Sequence, residues 1–177
     1  MQTKNIIDEF YKVFGIKINL KVKNFKNDYK QFQIRKLFNN CFNSILKAST
    51  NALSKYNCKK LSKYLTSINF CSYLLYKRYN VLFGGTLDLN SKSIIISTTG
   101  SNIKWIESAI HHELNHLIMS RNPKFILAWK KCNPKNFEYG NGGLTALKTG
   151  KSNTQKLVKY FKEGVVCEYS KSSVKVV

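Results

Sequence analysis

The three histidines of the chain, His111, His112 and His116, fall within six residues of one another. The segment Ala109-Ile110-His111-His112-Glu113-Leu114-Asn115-His116-Leu117-Ile118 contains the pattern H-E-x-x-H, and its remaining positions are uncharged. Side chains four apart on a helix stack on one face, so His112 and His116 can direct their imidazoles at a single metal ion. Glu113 lies one residue round the helix from His112, where its carboxylate can hold a water beside the ion without filling a coordination position. Zinc suits these donors, because it lowers the pKa of bound water to about 7 and polarises a carbonyl under attack. Glu113 would then serve as general base and pass the proton to a leaving amine, which describes amide hydrolysis. With three His and six Glu in 177 residues, chance produces this pattern in roughly two of a thousand such chains. A helix that merely carries histidines, with Glu113 as a solvated charge, is therefore the weaker alternative. His111 points off the metal face and is expected at the surface or behind the ligands as a support.

This chemistry needs a helix to present the motif and a layer to hold that helix. The apolar spacing predicts a helix over residues 103–120, with Ile103, Ile106, Ile110, Leu114 and Leu117 on one stripe, Ser101 or Asn102 as cap, and Pro123 beyond its end. Before it, residues 79–99 are rich in β-branched and aromatic types, broken at Gly84-Gly85 and at an Asn90-Ser91-Lys92 turn, and read as two or three short antiparallel strands.

Further upstream, Ile6, Ile7, Phe10, Tyr11, Val13 and Phe14 recur at helical spacing and Gly15 stops them. Ile16, Ile18, Leu20 and Val22 then alternate as in a half-buried strand. Residues 29–56, with Phe32, Leu37, Phe38, Cys41, Ile45, Leu46 and Leu53, read as one or two amphipathic helices, and residues 61–75 as a shorter one. After Pro123 come a short helix with Phe125, Ile126 and Trp129, a glycine-rich loop at 139–143 and an amphipathic helix over 154–162. The expected class is α+β: N-terminal helices, a small mixed or antiparallel sheet, then a central helix, in one domain over residues 1–177. Thr149-Gly150-Lys151-Ser152 imitates the end of a phosphate-binding loop, but Thr145 stands where the earlier glycine is required.

Composition narrows the class further. A hydrophobic fraction of 43% excludes a disordered chain, although 30 basic residues face nine acidic ones for a net charge of +21. The base is almost all lysine, 27 Lys against three Arg, with 19 Asn, whereas readers of bases and phosphates favour the forked guanidinium. The charge therefore reads first as a solubilising surface, and second as a surface for nucleic acid or an anionic membrane. Asp8 and Glu9 interrupt any N-terminal export segment and no apolar run of 18 residues exists, so the chain is expected to be unexported, cytoplasmic by default and without a transmembrane segment. Five widely spaced cysteines without a C-x-x-C pair predict reduced thiols instead of disulfides or an all-cysteine zinc site.

The H-E-x-x-H segment resembles the zincin metallopeptidases. The resemblance implies a zincin-like fold, in which an edge strand ahead of the active-site helix holds extended substrate, a role it assigns to the strand around residues 93–98. No histidine follows His116, which leaves the gluzincin type, where a downstream carboxylate is the third ligand. From His112 onward the chain is most similar to the zinc-binding metallopeptidases related to the catalytic domain of anthrax lethal factor. The similar features are H-E-x-x-H, Pro123-x-Phe125, Trp129 and the late stretch Glu163-Gly164-Val165-Val166-Cys167-Glu168-Tyr169-Ser170, so that the likeness covers residues 80–177.

The resemblance implies Zn2+ as cofactor, a peptide or protein as substrate, His112 and His116 as metal ligands, Glu113 as general base, and Tyr169 as a donor to the tetrahedral oxyanion. Where those families carry the acidic ligand, this chain has Val176 and Val177. Glu138, Glu163 or Glu168 could substitute, or the chain is shortened at the ligand helix. The functional expectation is a zinc metallopeptidase. Its alternatives are an impaired or truncated relic of one, and a basic nucleic-acid or anionic-surface binding protein.

Overall fold

The computed structural model describes residues 2–20, 31–37, 41–99 and 102–132, and among these it forms five helices and seven strands in two small sheets. Helix α1 (Gln2–Phe14) buries Phe10 and Phe14 on one side, their ring centroids 4.6 Å apart. It stops as expected at Gly15, whose φ of 67° suits a residue without a Cβ and whose N–H donates to the Tyr11 carbonyl at 2.8 Å.

The larger sheet is built from β1 (Lys17–Asn19), β3 (Ser67–Cys71), β7 (Ser93–Ser97) and β6 (Gly85–Asp88), in the order β1-β3-β7-β6. The first three are mutually parallel, and β6 returns antiparallel to β7. Both central strands are apolar runs buried almost throughout, as strands flanked on both sides must be. The buried Asn69 meets its polar demand by accepting from the Asn19 side chain at 2.8 Å and donating to the Ile94 carbonyl at 3.3 Å. The β6–β7 turn falls where expected: Asp88 accepts from the N–H groups of Asn90 and Ser91, and Lys92 takes a φ of 52°.

The second sheet, β2 (Phe32–Arg35), β4 (Tyr73–Tyr76) and β5 (Val81–Phe83), is antiparallel in the order β2-β4-β5. Phe32, Cys71, Leu74 and Ile95 form a buried cluster joining it to the first sheet, with Ile34, Tyr76 and Phe83 packed on its flank. Helices α2 (Phe42–Leu53), α3 (Cys58–Leu61), α4 (Ile103–Arg121) and α5 (Pro123–Cys132) complete the described elements.

Three expectations are corrected. Phe32 lies on a strand, because its ring is buried against Tyr76 and Phe83 of neighbouring strands. The helix expected over residues 61–75 is only α3, followed by β3 and β4. The strand over residues 93–98 is not an edge: β7 is paired on both sides, and β6 closes the described sheet instead.

The chain separates into two compact units, Met1–Leu117 and Ile118–Val177. The first holds both sheets and α4 as far as Leu117. The second begins in the last turn of α4 and contains α5, which starts at Pro123 as expected and whose Phe125 N–H donates to the Asn122 carbonyl at 2.9 Å. Among the described residues no helix is long and apolar enough to cross a membrane. The glycine-rich loop, the helix expected over 154–162, Glu138, Glu163, Glu168, Tyr169, Val176 and Val177 lie outside the described residues.

Candidate metal centre

Helix α4 positions the motif. Asn102 is its cap, its side chain accepting from the Lys104 N–H at 2.9 Å. Ile106, Ile110, Leu114 and Leu117 are fully buried along the expected stripe, which fixes the rotation of the helix and hence the direction of each motif residue.

The two ligand candidates meet. His112 Nε2 and His116 Nε2 are 2.9 Å apart, their rings nearly perpendicular at 83° with centroids at 4.5 Å. Zinc–nitrogen bonds of about 2.0–2.1 Å in tetrahedral geometry put two such nitrogens about 3.3 Å apart, so a slight spreading of the pair accommodates an ion. Burial lowers the pKa of His112, favouring the neutral imidazole that a metal requires. The donor pair therefore fits zinc. Among the described residues no third His, Cys, Asp or Glu joins it.

Glu113 is buried, with a relative exposure of 6%, and burial pushes its carboxyl up to about 8. What covers it is β6, the edge of the sheet among the described residues. A Cβ on Gly85, the first residue of β6, would stand 2.6 Å from Glu113 Cγ, 2.9 Å from Glu113 Oε1 and 2.9 Å from the Ile95 carbonyl oxygen. Only a residue without a side chain allows the strand to pass this closely over the carboxyl. Gly84 does the same for Trp105, since a Cβ there would meet the indole Cζ2 at 3.2 Å. The sequence marks Gly84-Gly85 as a break between strands; its contact with the motif glutamate becomes visible only in three dimensions.

His111 is tied to the segment just beyond the end of α2. Its Nδ1 and the Tyr56 hydroxyl share a 2.7 Å hydrogen bond. One turn earlier, Glu107 accepts from Lys55 Nζ at 2.6 Å and from Asn51 Nδ2 at 3.3 Å. The Lys55 hydrogen bond holds Glu107 below the usual carboxylate range, with Asn51 and the charges of Lys55 and His111 acting in the same direction. His111 is lowered by desolvation first and by Lys55 second, against the raising effect of Glu107. Tyr56, Lys55 and Asn51 thus anchor the helix through His111 and Glu107, and no motif spacing in the sequence announces them.

The structure therefore brings together the imidazoles of His112 and His116, covers the neighbouring Glu113 with β6, and ties His111 to Tyr56. The chain matches no known protein family, no curated protein and no solved structure.

Proposed function

We propose that the protein is a zinc-dependent metallopeptidase of zincin fold and gluzincin type. The observation that carries this reading is the convergence of two imidazole nitrogens at 2.9 Å beside a buried glutamate on one helix. When bound, zinc supplies Lewis acidity towards a peptide carbonyl and makes water a stronger acid. His112 and His116 would hold it through Nε2. Glu113 takes the proton of the attacking water and returns it to the leaving amine. Strand β6, the edge of the sheet among the described residues, is in place of β7 the element beside which an extended peptide would lie. Tyr169 is assigned by resemblance as the donor to the tetrahedral oxyanion.

The test is zinc stoichiometry by mass spectrometry together with hydrolysis of a mixed peptide library. About one zinc per chain is expected in the wild type and in Glu113→Gln, zinc loss in His112→Ala and His116→Ala, and hydrolysis in the wild type alone. Full hydrolysis by Glu113→Gln would sink the assignment; stoichiometric zinc with no hydrolysis by the wild type would mark an impaired relative.

A further inference from the structure

Trp105 is the large apolar side chain on α4 that remains half in solvent, at 50% relative exposure, while the stripe below it is fully buried. Its six-membered ring lies against Gly84, as the 3.2 Å and 3.7 Å approaches of Cζ2 and Cη2 to a Cβ there show. Gly85, the next residue along the chain, lies against Glu113. The indole and the motif carboxyl thus touch consecutive residues of one strand path, and among the described residues β6 has a partner on one side only.

A peptide added to that side runs extended, with side chains alternating between faces. Two consecutive positions of that peptide then lie beside Gly84 and Gly85, and so beside the residues that contact Trp105 and Glu113. Leu89, exposed by 43%, follows directly on β6 and lengthens its apolar character. Charge selects the rest of the peptide: Lys104, the neighbour of Trp105, is exposed, and the chain carries +21.

We infer that Trp105 is a specificity-determining residue whose exposed indole receives a large aromatic or aliphatic side chain, adjacent to the scissile bond, of an extended acidic peptide. The inference rests on the metallopeptidase reading for the identity of the bond, but the contact itself is a binding event and can be read without hydrolysis.

The experiment uses the full chain and acidic peptides identical except for Phe, Leu or Gly at one central position. With zinc loaded, the Phe and Leu peptides should be cleaved at least about tenfold more efficiently than the Gly peptide, the size expected for one large apolar side chain. Trp105→Ala should erase that preference mainly through KM while zinc content is retained, and Trp105→Phe should restore most of it. In parallel, Trp129→Phe leaves Trp105 as the single tryptophan. A 3-nitrotyrosine version of the peptide should quench its fluorescence saturably, and the Phe peptide should displace that probe where the Gly peptide does not. Cleavage without side-chain preference, together with absent or undisplaced quenching, overturns the subsite and leaves the peptidase reading standing. Saturable, Phe-displaceable quenching in a protein that cleaves nothing keeps the subsite and overturns the peptidase reading. Neither cleavage nor quenching overturns both.

Discussion

Glu113 combines a deeply buried carboxyl with a position between two imidazoles in sequence, and its titration links the site to the stability of the fold. In the zinc-free protein its carboxyl is pushed from the usual 4.5 to about 8. Between those values the folded chain keeps a proton that the unfolded chain has lost, so stability falls as pH rises through that window. His112 and His111 act in the opposite sense: burial lowers both, so the unfolded chain takes up their protons first and stability rises with pH through the imidazole range. The Glu113 effect is the larger, and urea unfolding of zinc-free protein should show a net loss of a few kcal/mol from pH 5 to pH 8. Glu113→Gln cannot ionise and should reverse the sign of that slope. A slope unchanged by the substitution would show that the carboxyl is not held neutral.

The contact between β6 and α4 is where one element constrains another. Gly85→Ala introduces a Cβ that meets both Glu113 and the Ile95 carbonyl oxygen inside 3 Å, and strand and helix cannot both keep their places. Denaturant titration should record a loss of about 2–4 kcal/mol, as overpacking at a buried backbone contact requires. Adding Glu113→Ala should recover about 1 kcal/mol, while the clash with the Ile95 carbonyl keeps the remainder. A loss below about 0.5 kcal/mol would mean that the strand passes the helix at a greater distance.

Elements differed in how legible they were. All of α4 was readable, from the Asn102 cap to its end before Pro123, because period, cap and terminator lie side by side in the chain. The β6–β7 hairpin was readable for the same reason, through Asp88 and the Asn90-Ser91-Lys92 turn. Strand β3 was not, since Leu61, Leu65 and Ile68 imitate a helical stripe while Ile68 to Cys71 are all buried and show no alternation. Whether a strand is central or at an edge depends on its neighbours, which is why β7 passed for the substrate edge. The candidate ligand pair and candidate base needed only local spacing. The roles of Gly85, Trp105 and Tyr56 depended on packing between distant segments.

At the scale of the whole chain, 30 basic residues face nine acidic ones, and the resulting +21 charges repel one another. Raising NaCl from 50 to 500 mM should therefore raise the Tm by a few degrees through screening, measured by circular dichroism. A Tm that falls over that range would mean that attractive pairs outweigh the repulsion.

Strand order also sets a timetable. Ile18 pairs with Ile68 and Ile68 with Ile94, so the first strand made waits for β3, and β3 waits for β7. During synthesis the sheet stays incomplete until the hairpin of β6 and β7 has left the ribosome, and these long-range pairings are slow to form. Helix α4 follows immediately afterwards. A nascent chain stalled at residue 102 already contains all seven described strands and none of the three histidines, so the candidate site is the last part of its unit to be made.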